Sequence, residues 1–457
     1  MNVIFLHRVW PVYGGGETVT ICLANEMVKR GFKVHIAYFK DSDSSKEIPF
    51  IDARIKAHRI GNIKFNELSG DFFINKTDAK VASEGLISLI KQYDINIVHN
   101  QWWPVEFLQG VHQQTNAKIV KTLHMDVDIK KAFDFSGVKG NIIKLFYPLY
   151  RMAEKRKNIW RCNKYYKYSD CFNFLAPCFL RSYASLSGKR EDDPKLNFVY
   201  NPLVFNLAIS QEERKKKENI VLVVGRLSER HKKITRILES WKVVEQDSKF
   251  ATWKLQIVGD GESRGMYEDI IKRNHLKRVE MLGFRQPLPY YKKAKIFLMT
   301  SAYEGFSMSL IESQQNGVPL IVMDSFESLH EVVTNGENGI IVKDGDVAEF
   351  TENLKKLMLD DNLRNRLADK GLETCQRFTV SNLVDKWATI YNGLIKQRYI
   401  YLICWVLIAV CIIMISLSLM FCNKEDIDVL CIPILNIRVL ARFIFPNSSA
   451  VIKYLAY

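Results

Sequence analysis

Two glutamates stand eight positions apart in the stretch Ser301-Ala-Tyr-Glu-Gly-Phe-Ser-Met-Ser-Leu-Ile-Glu-Ser-Gln-Gln-Asn-Gly-Val-Pro319. The apolar run Ala294–Met299 before it predicts a buried strand, and Ser307–Asn316 has helical spacing. Glu304 is therefore expected in the turn at the carboxyl end of the strand, and Glu312 about two turns into the helix. Open parallel sheets bind ligands at this edge, and the N–H groups at a helix start suit a phosphate. Carboxylates beside a phosphate are expected to accept hydrogen bonds from sugar or ribose hydroxyls.

This stretch resembles the E-x7-E signature of the retaining glycosyltransferases of family four, which have the GT-B fold. Glu304 and Glu312 match the signature in their spacing and in their Gly-Phe and Gly-Val-Pro neighbours. The resemblance implies that Glu304 binds hydroxyls of the donor sugar and that Glu312 binds the ribose of the nucleotide. It also implies that the turn residues Gly305, Phe306 and Ser307 contact the donor.

A second motif follows the apolar run Ile220–Val224 and contains Gly225-Arg-Leu-Ser-Glu-Arg-His-Lys-Lys233. It resembles the family's Gly-Arg-Leu…Lys-Gly motif, in which the matching Arg226 and Lys232 bind the donor pyrophosphate. Arginine offers a planar fork for two oxygens and lysine a compact charge. Two fixed cations favour the transition state, because the departing nucleoside diphosphate gains negative charge. Lys233 departs from the family, which usually has glycine there, and it adds positive charge.

Shorter motifs match other turns of the family. Gly14-Gly-Gly-Glu17 resembles its N-terminal glycine-rich loop, where glycine permits close backbone approach to a ligand. A triple glycine is equally typical of a purely structural turn. His124 matches a histidine that touches a distal hydroxyl of the donor sugar, although a lone histidine is often structural. The resemblance thus adds as donor-binding residues Gly15, Gly16, Gly225, Gly259, Phe284 and Arg285, the last two near the base; Glu331 matches a further acid without an assigned role.

Asp-x-Asp triplets occur in the chain, among them Asp41–Asp43, Asp126–Asp128 and Asp344–Asp346. Such a triplet holds the metal ion in the other glycosyltransferase fold. Here the triplets lie within a two-sheet pattern, and Arg226 and Lys232 already neutralise the phosphates. We therefore expect no metal ion and no other cofactor.

Strands and helices alternate in both halves of the chain, which predicts an α/β protein with two doubly wound, Rossmann-like domains facing across a cleft. Residues 1–203 are expected to form the acceptor-side domain, 204–378 the nucleotide-sugar domain, and 379–396 a helix that packs back toward the first domain. The predicted strands are Val3–His7, Lys33–Tyr38, Ile95–His99, Lys118–Thr122, Asn197–Leu203, Ile220–Val224, Lys254–Val258, Val279–Leu282, Ile296–Met299, Leu320–Val322 and Gly339–Val342.

The C-terminal region has the composition of a membrane span. Tyr399–Phe421 carries no charge over 23 positions, enough to cross a hydrocarbon core of ~30 Å. Lys396 and Arg398 precede it, so the positive-inside tendency puts the catalytic domains in the cytoplasm. A buried C-terminal helix is the alternative. The apolar tail 422–457 has no assigned role, and nine scattered cysteines favour a reducing compartment.

The net charge of +15 calls for an anionic partner. Within Arg151–Tyr168, seven Lys or Arg stand against one Glu and are interleaved with Trp and Tyr, a pattern that suits an anionic membrane surface. No nucleic-acid-binding motif supports the competing interpretation, and a solvated helix face is the third. Trp102 and Trp103 are candidates either for stacking on acceptor sugars or for core packing.

These features predict a membrane-anchored retaining glycosyltransferase of the hexosyltransferase type. It would use a nucleotide-diphosphate sugar and a lipid-linked or oligosaccharide acceptor in surface polysaccharide assembly. Arg226 and Lys232, with Glu304 and His124, are its predicted catalytic residues. Two alternatives are a nucleotide-sugar epimerase of the same fold, which needs no acceptor, and a non-catalytic sugar-nucleotide-binding subunit.

Overall fold

The computed structural model describes residues 1–12, 14–42, 50–65, 75–128, 137–205 and 209–396, with residues 410, 412 and 413 beyond them. The chain divides into two compact units, 1–394 and 395–457. The predicted transmembrane segment 399–421 and the tail 422–457 lie almost wholly outside the described residues. Within the described part, none of the helices combines the length and the apolar character that a membrane crossing needs.

The first half is built on a parallel sheet whose strands are buried at its centre. Its order is β5-β3-β1-β6-β7-β8-β9, and β2 and β4 form a separate short pair. The strands of this half are β1 Asn2–Leu6, β2 Val9–Trp10, β3 Lys33–Tyr38, β4 Lys40–Asp41, β5 Lys56–Arg59, β6 Ile97–Asn100, β7 Lys118–Leu123, β8 Cys171–Phe174 and β9 Leu196–Phe198.

Helices cover both faces of this sheet, as uninterrupted apolar strands require. Asn75 begins α2 by accepting a hydrogen bond from the N–H of Asp78 at 2.8 Å. Trp103 and Phe107 are fully buried in the core between this helix and the sheet. The helices of this half are α1 Gly15–Lys29, α2 Lys76–Gln92, α3 Val111–Gln114, α4 Gly137–Tyr168 and α5 Pro177–Ser187, with a 3-10 turn at Val105–Leu108.

The second half repeats the plan. Its sheet is parallel throughout and has the order β12-β11-β10-β13-β14-β15. Counted along the chain within each sheet, both have the doubly wound order three-two-one-four-five-six, to which the first sheet adds a seventh strand at its edge. This order gathers ligand-binding loops at the carboxyl ends of the central strands. The strands are β10 Ile220–Val224, β11 Lys254–Val258, β12 Val279–Gly283, β13 Ile296–Met299, β14 Leu320–Asp324 and β15 Ile340–Lys343.

Amphipathic helices, α8 and α12 among them, flank the second sheet and bury one face. Trp241 of α8 and Phe350 of α12 lie fully buried in the same cluster. The helices are α6 Gln211–Lys215, α7 Glu229–Lys232, α8 Ile234–Glu245, α9 Arg264–Arg273, α10 Leu288–Lys293, α11 Met308–Gln315, α12 Val347–Leu359, α13 Asp361–Cys375 and α14 at 380–396, with 3-10 turns at Ser248–Phe250, Glu327–Glu331 and Gln376–Phe378.

Helix α14 contacts the first half of the chain. The Tyr391 hydroxyl lies 2.6 Å from Nδ1 of the buried His99. The ring of Trp387 packs against the same histidine, with centroids 4.6 Å apart. At the other end of the helix, Arg30 donates to the Ser381 hydroxyl at 2.6 Å and pairs with Asp385. The His99 contacts tie α14 to β6, the strand that leads into Trp102, and the Arg30 contacts tie it to the end of α1.

Several predictions of local structure were wrong. The buried strand Cys171–Phe174 was not predicted; the polar Asn173 interrupts its apolar residues. Helix α11 begins at Met308, so Glu312 lies little more than one turn into it rather than about two. Helix α1 begins at Gly15, which places Gly15 and Gly16 in its first turn and leaves Gly14 as the residue before it.

Candidate active site

A cleft of about 730 Å³ lies between the carboxyl ends of the two sheets. Because all strands of each sheet are parallel, turns that are distant in sequence meet there. Residues of both halves line the cleft, and three of them, Trp102, Asn201 and Asp260, were not among the predicted site residues. The cleft brings together each residue predicted for the site: Gly15, Gly16, His124, Gly225, Arg226, Lys232, Gly259, Phe284, Arg285, Glu304, Gly305, Phe306, Ser307 and Glu312.

An ion pair forms the centre of the cleft. Nζ of Lys232 lies 2.5 Å from Oε1 of Glu304, with the side chains 20% and 17% exposed. The Thr300 hydroxyl at the end of β13 hydrogen-bonds to the carbonyls of Lys232 and Lys233, at 3.0 and 2.9 Å. The strand end that precedes Glu304 therefore also fixes the backbone of Lys232. A charge-assisted bond in this partly dry setting holds both groups in place.

Lys233 adopts the left-handed conformation, with φ 50° and ψ 40°, where α7 ends and α8 begins. This is a conformation that favours glycine, and glycine is the usual residue of the family here. Glu229 supplies the cap that Lys233 does not: its carboxylate accepts from the backbone N–H of Thr235 at 3.3 Å and from the hydroxyls of Thr235 and Tyr267 at 2.6 and 3.0 Å. The turn geometry is thus kept without the glycine.

Arg226 reaches the cleft beside this pair. Its Nη2 lies 3.2 Å from Nδ1 of His231, and the Ser228 hydroxyl lies 2.8 Å from the same nitrogen. Burial lowers the pKa of His231, and the neighbouring Arg226 lowers it further. A neutral imidazole accepts from the guanidinium and orients it without repelling it. Lys232 and Arg226 therefore present two cations to one side of the cleft.

Two glycines allow neighbouring turns of the second sheet to touch. A Cβ atom at Gly259, which has φ 147°, would lie 1.8 Å from the carbonyl oxygen of Gly225. A Cβ at Gly225 would lie 3.1 Å from Cε of Lys232. Gly259 therefore has to be glycine for the turns after β10 and β11 to approach each other. The lack of a side chain at Gly225 in turn lets the Lys232 side chain lie close to the Gly225 backbone.

Glu312 is almost wholly buried, with 8% exposure, although it lines the cleft. Burial raises its pKa to about 7, against the lowering effect of a hydrogen bond from Tyr291.

Phe306, in the turn before α11, is 5% exposed, and its ring packs against Tyr200 and Phe378, with centroids 5.3 Å from each. Phe306 thus anchors the turn in the core, whereas Phe284 and Arg285 lie in the loop that follows β12.

The opposite wall comes from the first half of the chain. The ring of His124 stacks on Trp102, with centroids 4.3 Å apart. Its Nε2 lies 2.5 Å from Oε1 of Gln101. An amide oxygen only accepts, so with this amide orientation Nε2 carries the proton and Nδ1 keeps a lone pair. Burial, and then the Lys121 charge, hold the pKa of His124 well below its usual value, so the ring is neutral.

Glycines permit close contact on this wall too. A Cβ at Gly16 would lie 2.4 Å from the Trp102 ring, and a Cβ at Gly305 would lie 2.1 Å from the carbonyl oxygen of His124. The second contact joins the two halves: the turn that carries Glu304 meets the backbone of the strand end that carries His124. The glycine-rich turn Gly14–Gly16 therefore packs on the tryptophan that the cleft exposes.

The structure separates the two neighbouring tryptophans. Trp103 is fully buried and its indole N–H donates to the His7 carbonyl at 2.7 Å, so it belongs to the core. Trp102 lines the cleft. Gln101, which binds His124, was not predicted; its polar side chain directly after a buried strand was the available signal. Glu331 accepts from the Tyr200 hydroxyl at 3.0 Å and has a packing role.

Aspartates of two of these Asp-x-Asp triplets contact other groups of the protein. Asp128 pairs with Arg151 at 2.7 Å and with Lys155 at 3.0 Å. Asp344 pairs with Arg236 at 2.6 Å, and Asp346 caps α12. In the described part of the chain, no cluster of three or more His, Cys, Asp or Glu side chains has a metal-binding arrangement.

Two family models match the chain one after the other. The model described as Glycosyltransferase Family 4 matches residues 13–179. The model described as Glycosyl transferases group 1 matches residues 205–374. The first match covers the sheet that carries His124, and the second covers the sheet that carries Arg226, Lys232, Glu304 and Glu312.

Individual relatives agree with these matches. The chain is 32% identical over 179 residues to the amylovoran biosynthesis glycosyltransferase AmsD of Erwinia amylovora, over 39% of this chain and 49% of that protein. It is 27% identical over 194 residues to the GalNAc-alpha-(1->4)-GalNAc-alpha-(1->3)-diNAcBac-PP-undecaprenol alpha-1,4-N-acetyl-D-galactosaminyltransferase of Campylobacter jejuni, over 42% and 53%. The chain thus spans about half the length of each of these two relatives.

Among solved structures, the chain resembles Anabaena HepE, which was crystallised in complex with UDP. The TM-score is 0.63 at 16% sequence identity, over 86% of this chain and all of that one. At this identity, the likeness shows the shared two-domain fold.

Proposed function

The chain belongs to the glycosyltransferases of family 4 and group 1, with the GT-B fold, and we propose that it moves a sugar from a nucleotide-diphosphate donor to a saccharide acceptor in polysaccharide biosynthesis. The observation that carries this proposal is the Lys232–Glu304 pair beside Arg226 in the cleft between the two sheets. A sugar nucleotide requires cations to bind its diphosphate and a carboxylate to accept hydrogen bonds from its sugar hydroxyls.

In the proposed complex each charged group has one partner on the donor. Arg226 and Lys232 bind the diphosphate, Glu304 accepts from hydroxyls of the sugar, and Glu312 accepts from the ribose. His124 accepts a hydrogen bond at Nδ1 from a distal hydroxyl of the donor sugar, because its Nε2–H already donates to Gln101. The structural relative described with UDP supports a uridine nucleotide.

We infer front-face retention as the course of reaction. The bond from the anomeric carbon to the diphosphate breaks, the acceptor oxygen bonds to that carbon on the same face, and its proton passes to the departing phosphate oxygen. Arg226 and Lys232 stabilise the charge that grows on that oxygen. Because these two cations serve the leaving group, we expect turnover without an added divalent ion.

The acceptor is proposed to be lipid-linked, and the protein to be membrane-anchored with its catalytic domains in the cytoplasm. The Campylobacter relative is named for a PP-undecaprenol substrate. Helix α4 exposes Phe146, Leu149, Met152 and Trp160 by 48–60% among its basic residues, which suits an anionic lipid surface. Deletion of 397–457, combined with neutralisation of the α4 lysines and arginines, is expected to release the protein from membranes; sedimentation unchanged from wild type would exclude this anchoring.

The activity itself is tested by turnover of a panel of nucleotide sugars by the full chain in membranes. We expect wild type to release nucleoside diphosphate, and Lys232→Ala and Glu304→Gln to reduce release by at least about 100-fold. Lys254→Ala is the matched control, because Lys254 forms an exposed pair with Glu280 at 3.1 Å in the same domain, outside the cleft. The control should keep wild-type turnover.

The same assay separates the alternatives. An altered sugar on an intact nucleotide would identify an epimerase. Donor binding without release, when lipid-linked acceptors are present, would identify a binding subunit. Either result, or equal losses in Lys232→Ala and Lys254→Ala, would contradict the proposed transfer reaction.

A further inference from the structure

A second cavity of about 420 Å³ opens into the first half of the chain, beside the cleft. It lies between the end of β7 and helix α4, and it shares Trp102, His124 and Met125 with the cleft. We call it the basic pocket. Only the Trp102 and His124 side chains therefore separate a molecule in this pocket from the proposed donor sugar. An acceptor has to lie in such a position, beside the donor sugar.

The basic pocket contains a buried cation without a counter-ion. Lys121 is 5% exposed, its Nζ donates to the Gln101 carbonyl at 2.7 Å, and it lies 4.7 Å from the centroid of the Tyr165 ring. Among the described residues, no carboxylate forms an ion pair with this ammonium. Burial first, and then Arg161, lower the pKa of Lys121 to about 7. A buried ammonium in this state gains stability from any anion placed beside it.

Arg161 adds a second cation from α4. It lines the same pocket, and in the part of the chain that the structure describes it too forms no ion pair. Its side chain is exposed toward solvent, so it stands at the mouth while Lys121 stands at the base. Together they provide a fork and a compact charge, the pair of groups that binds phosphate or carboxylate oxygens.

The two acids of the pocket do not neutralise these cations. Glu106 is bound to Lys164, at 3.3 Å. Asp126 accepts from the N–H of Asp128 at 3.2 Å, and burial raises its pKa. Trp160, with 60% exposure, stands at the rim and offers an apolar face. The pocket therefore combines an excess of positive charge with one exposed aromatic surface.

We propose that the basic pocket binds an anionic group of the acceptor, a phosphate or a carboxylate, through Lys121 and Arg161. The acceptor hydroxyl then reaches the donor past Trp102 and His124. This inference rests on the proposed function and adds the class of acceptor: one that carries negative charge within a few ångströms of the sugar that receives the transfer.

The test follows a radiolabelled donor sugar in membranes that contain the full chain, measuring label transferred to the acceptor and label released as free sugar by hydrolysis separately. Lys121→Met and Arg161→Gln are expected to reduce transfer relative to hydrolysis by about 10-fold or more, the loss expected for a charged hydrogen bond. Lys91→Gln is the matched control, since Lys91 is an exposed lysine of α2 in the same half of the chain, outside both the pocket and α4; its ratio should equal that of wild type. Arg161→Gln keeps the test valid if Lys121→Met fails to fold.

The product shows which source supplies the anion. Label extracted into organic solvent and released by mild acid identifies a lipid phosphate, and water-soluble label retained on an anion exchanger identifies an acidic saccharide; both support the pocket. Transfer to a neutral acceptor, or a ratio unchanged in both variants, would overturn it while leaving the transferase standing. Absence of nucleoside diphosphate release by wild type would overturn the proposed function as well.

Discussion

The two sheets share a strand order, but their equivalent loops differ in chemistry. The loop after the first strand carries Gly14–Gly16 in the first sheet and Arg226 and Lys232 in the second. The loop after the fourth strand carries Trp102 in the first sheet and Glu304 in the second. The loops of the second sheet bring charges to the cleft. Those of the first bring an aromatic ring, a neutral imidazole and glycines.

This difference extends behind the surface. His7 and His99, which lie at or near the ends of strands in the first sheet, are fully buried, and burial lowers the pKa of each to about 3. They are neutral and pack or hydrogen-bond, so they add no field to the cleft. The same scaffold thus gives one electrostatic wall, suited to a leaving group, and one wall suited to shape and hydroxyl recognition.

The comparison predicts unequal losses on the two walls. Arg226→Gln should lower kcat by about 100- to 1000-fold, because it removes a cation from the charge that develops on the leaving group. His124→Ala should lower it by only about 10-fold, the value of one neutral hydrogen bond. Steady-state rates at saturating donor measure both, and a larger loss in His124→Ala would break the comparison.

The close contact between the two walls, where Gly305 meets the His124 carbonyl, allows a second test of the comparison. Gly305→Ala puts a Cβ where the His124 carbonyl lies, 2.1 Å away, and backbone on both sides cannot rotate aside. The walls must separate, and misplacement of reacting groups by about 1 Å costs on the order of 100-fold in rate.

Gly265→Ala is the control for this substitution, since a Cβ there meets nothing within 4 Å. It should leave the rate at the wild-type value. A Gly305→Ala enzyme with wild-type kcat would show that the two walls do not need this approach during turnover.

The buried Glu312 should make donor binding depend on pH. With its pKa at about 7, the carboxylate that accepts ribose hydroxyls forms as pH rises through 7. Donor Kd should therefore fall by up to about 10-fold between pH 6 and pH 8. Calorimetry with an intact nucleotide sugar, whose diphosphate does not titrate in this range, measures the change.

Glu312→Gln should bind with a Kd that does not vary over the same range. The pKa of Glu312 is higher in the folded than in the unfolded chain, so ionisation opposes folding, and wild type should lose stability relative to this variant as pH rises toward and through 7. Parallel pH profiles of the two proteins would show that Glu312 does not titrate there.

The smallest effect concerns the left-handed Lys233. Lys233→Gly should raise the free energy of unfolding by about 0.5–1 kcal/mol, because relief of the left-handed strain exceeds the entropy cost of glycine. Urea unfolding measures it. Lys272→Gly in α9 is the contrasting control and should lose about 1 kcal/mol; a loss in both would show that Lys233 is unstrained.

Much of the cleft was predictable, because its residues follow strands directly in the sequence. The carboxyl ends of parallel strands meet at one edge, so Arg226 after one strand and Glu304 after another had to lie near each other. The glycines came from the family resemblance, which matched the short motifs around them rather than their spacing.

Other features depend on contacts that no local pattern contains. Trp102 and Trp103 are adjacent and identical in type, and only the bend that follows β6 decides that one packs in the core. The Gln101–His124 bond and the unpaired Lys121 depend on which elements pack over them. The burial of Glu312 likewise follows from tertiary packing rather than from its position in the motif.

The Lys232–Glu304 pair has a second consequence under the proposed roles. Each group satisfies the other at 2.5 Å, so a ligand that takes only the ammonium leaves a carboxylate in a partly dry site without its partner. An intact sugar nucleotide would compensate both groups at once, phosphate to one and hydroxyl to the other, whereas a free nucleoside diphosphate would compensate Lys232 alone. The carboxylate left without a partner would offset part of the stronger attraction between the free diphosphate and the two cations.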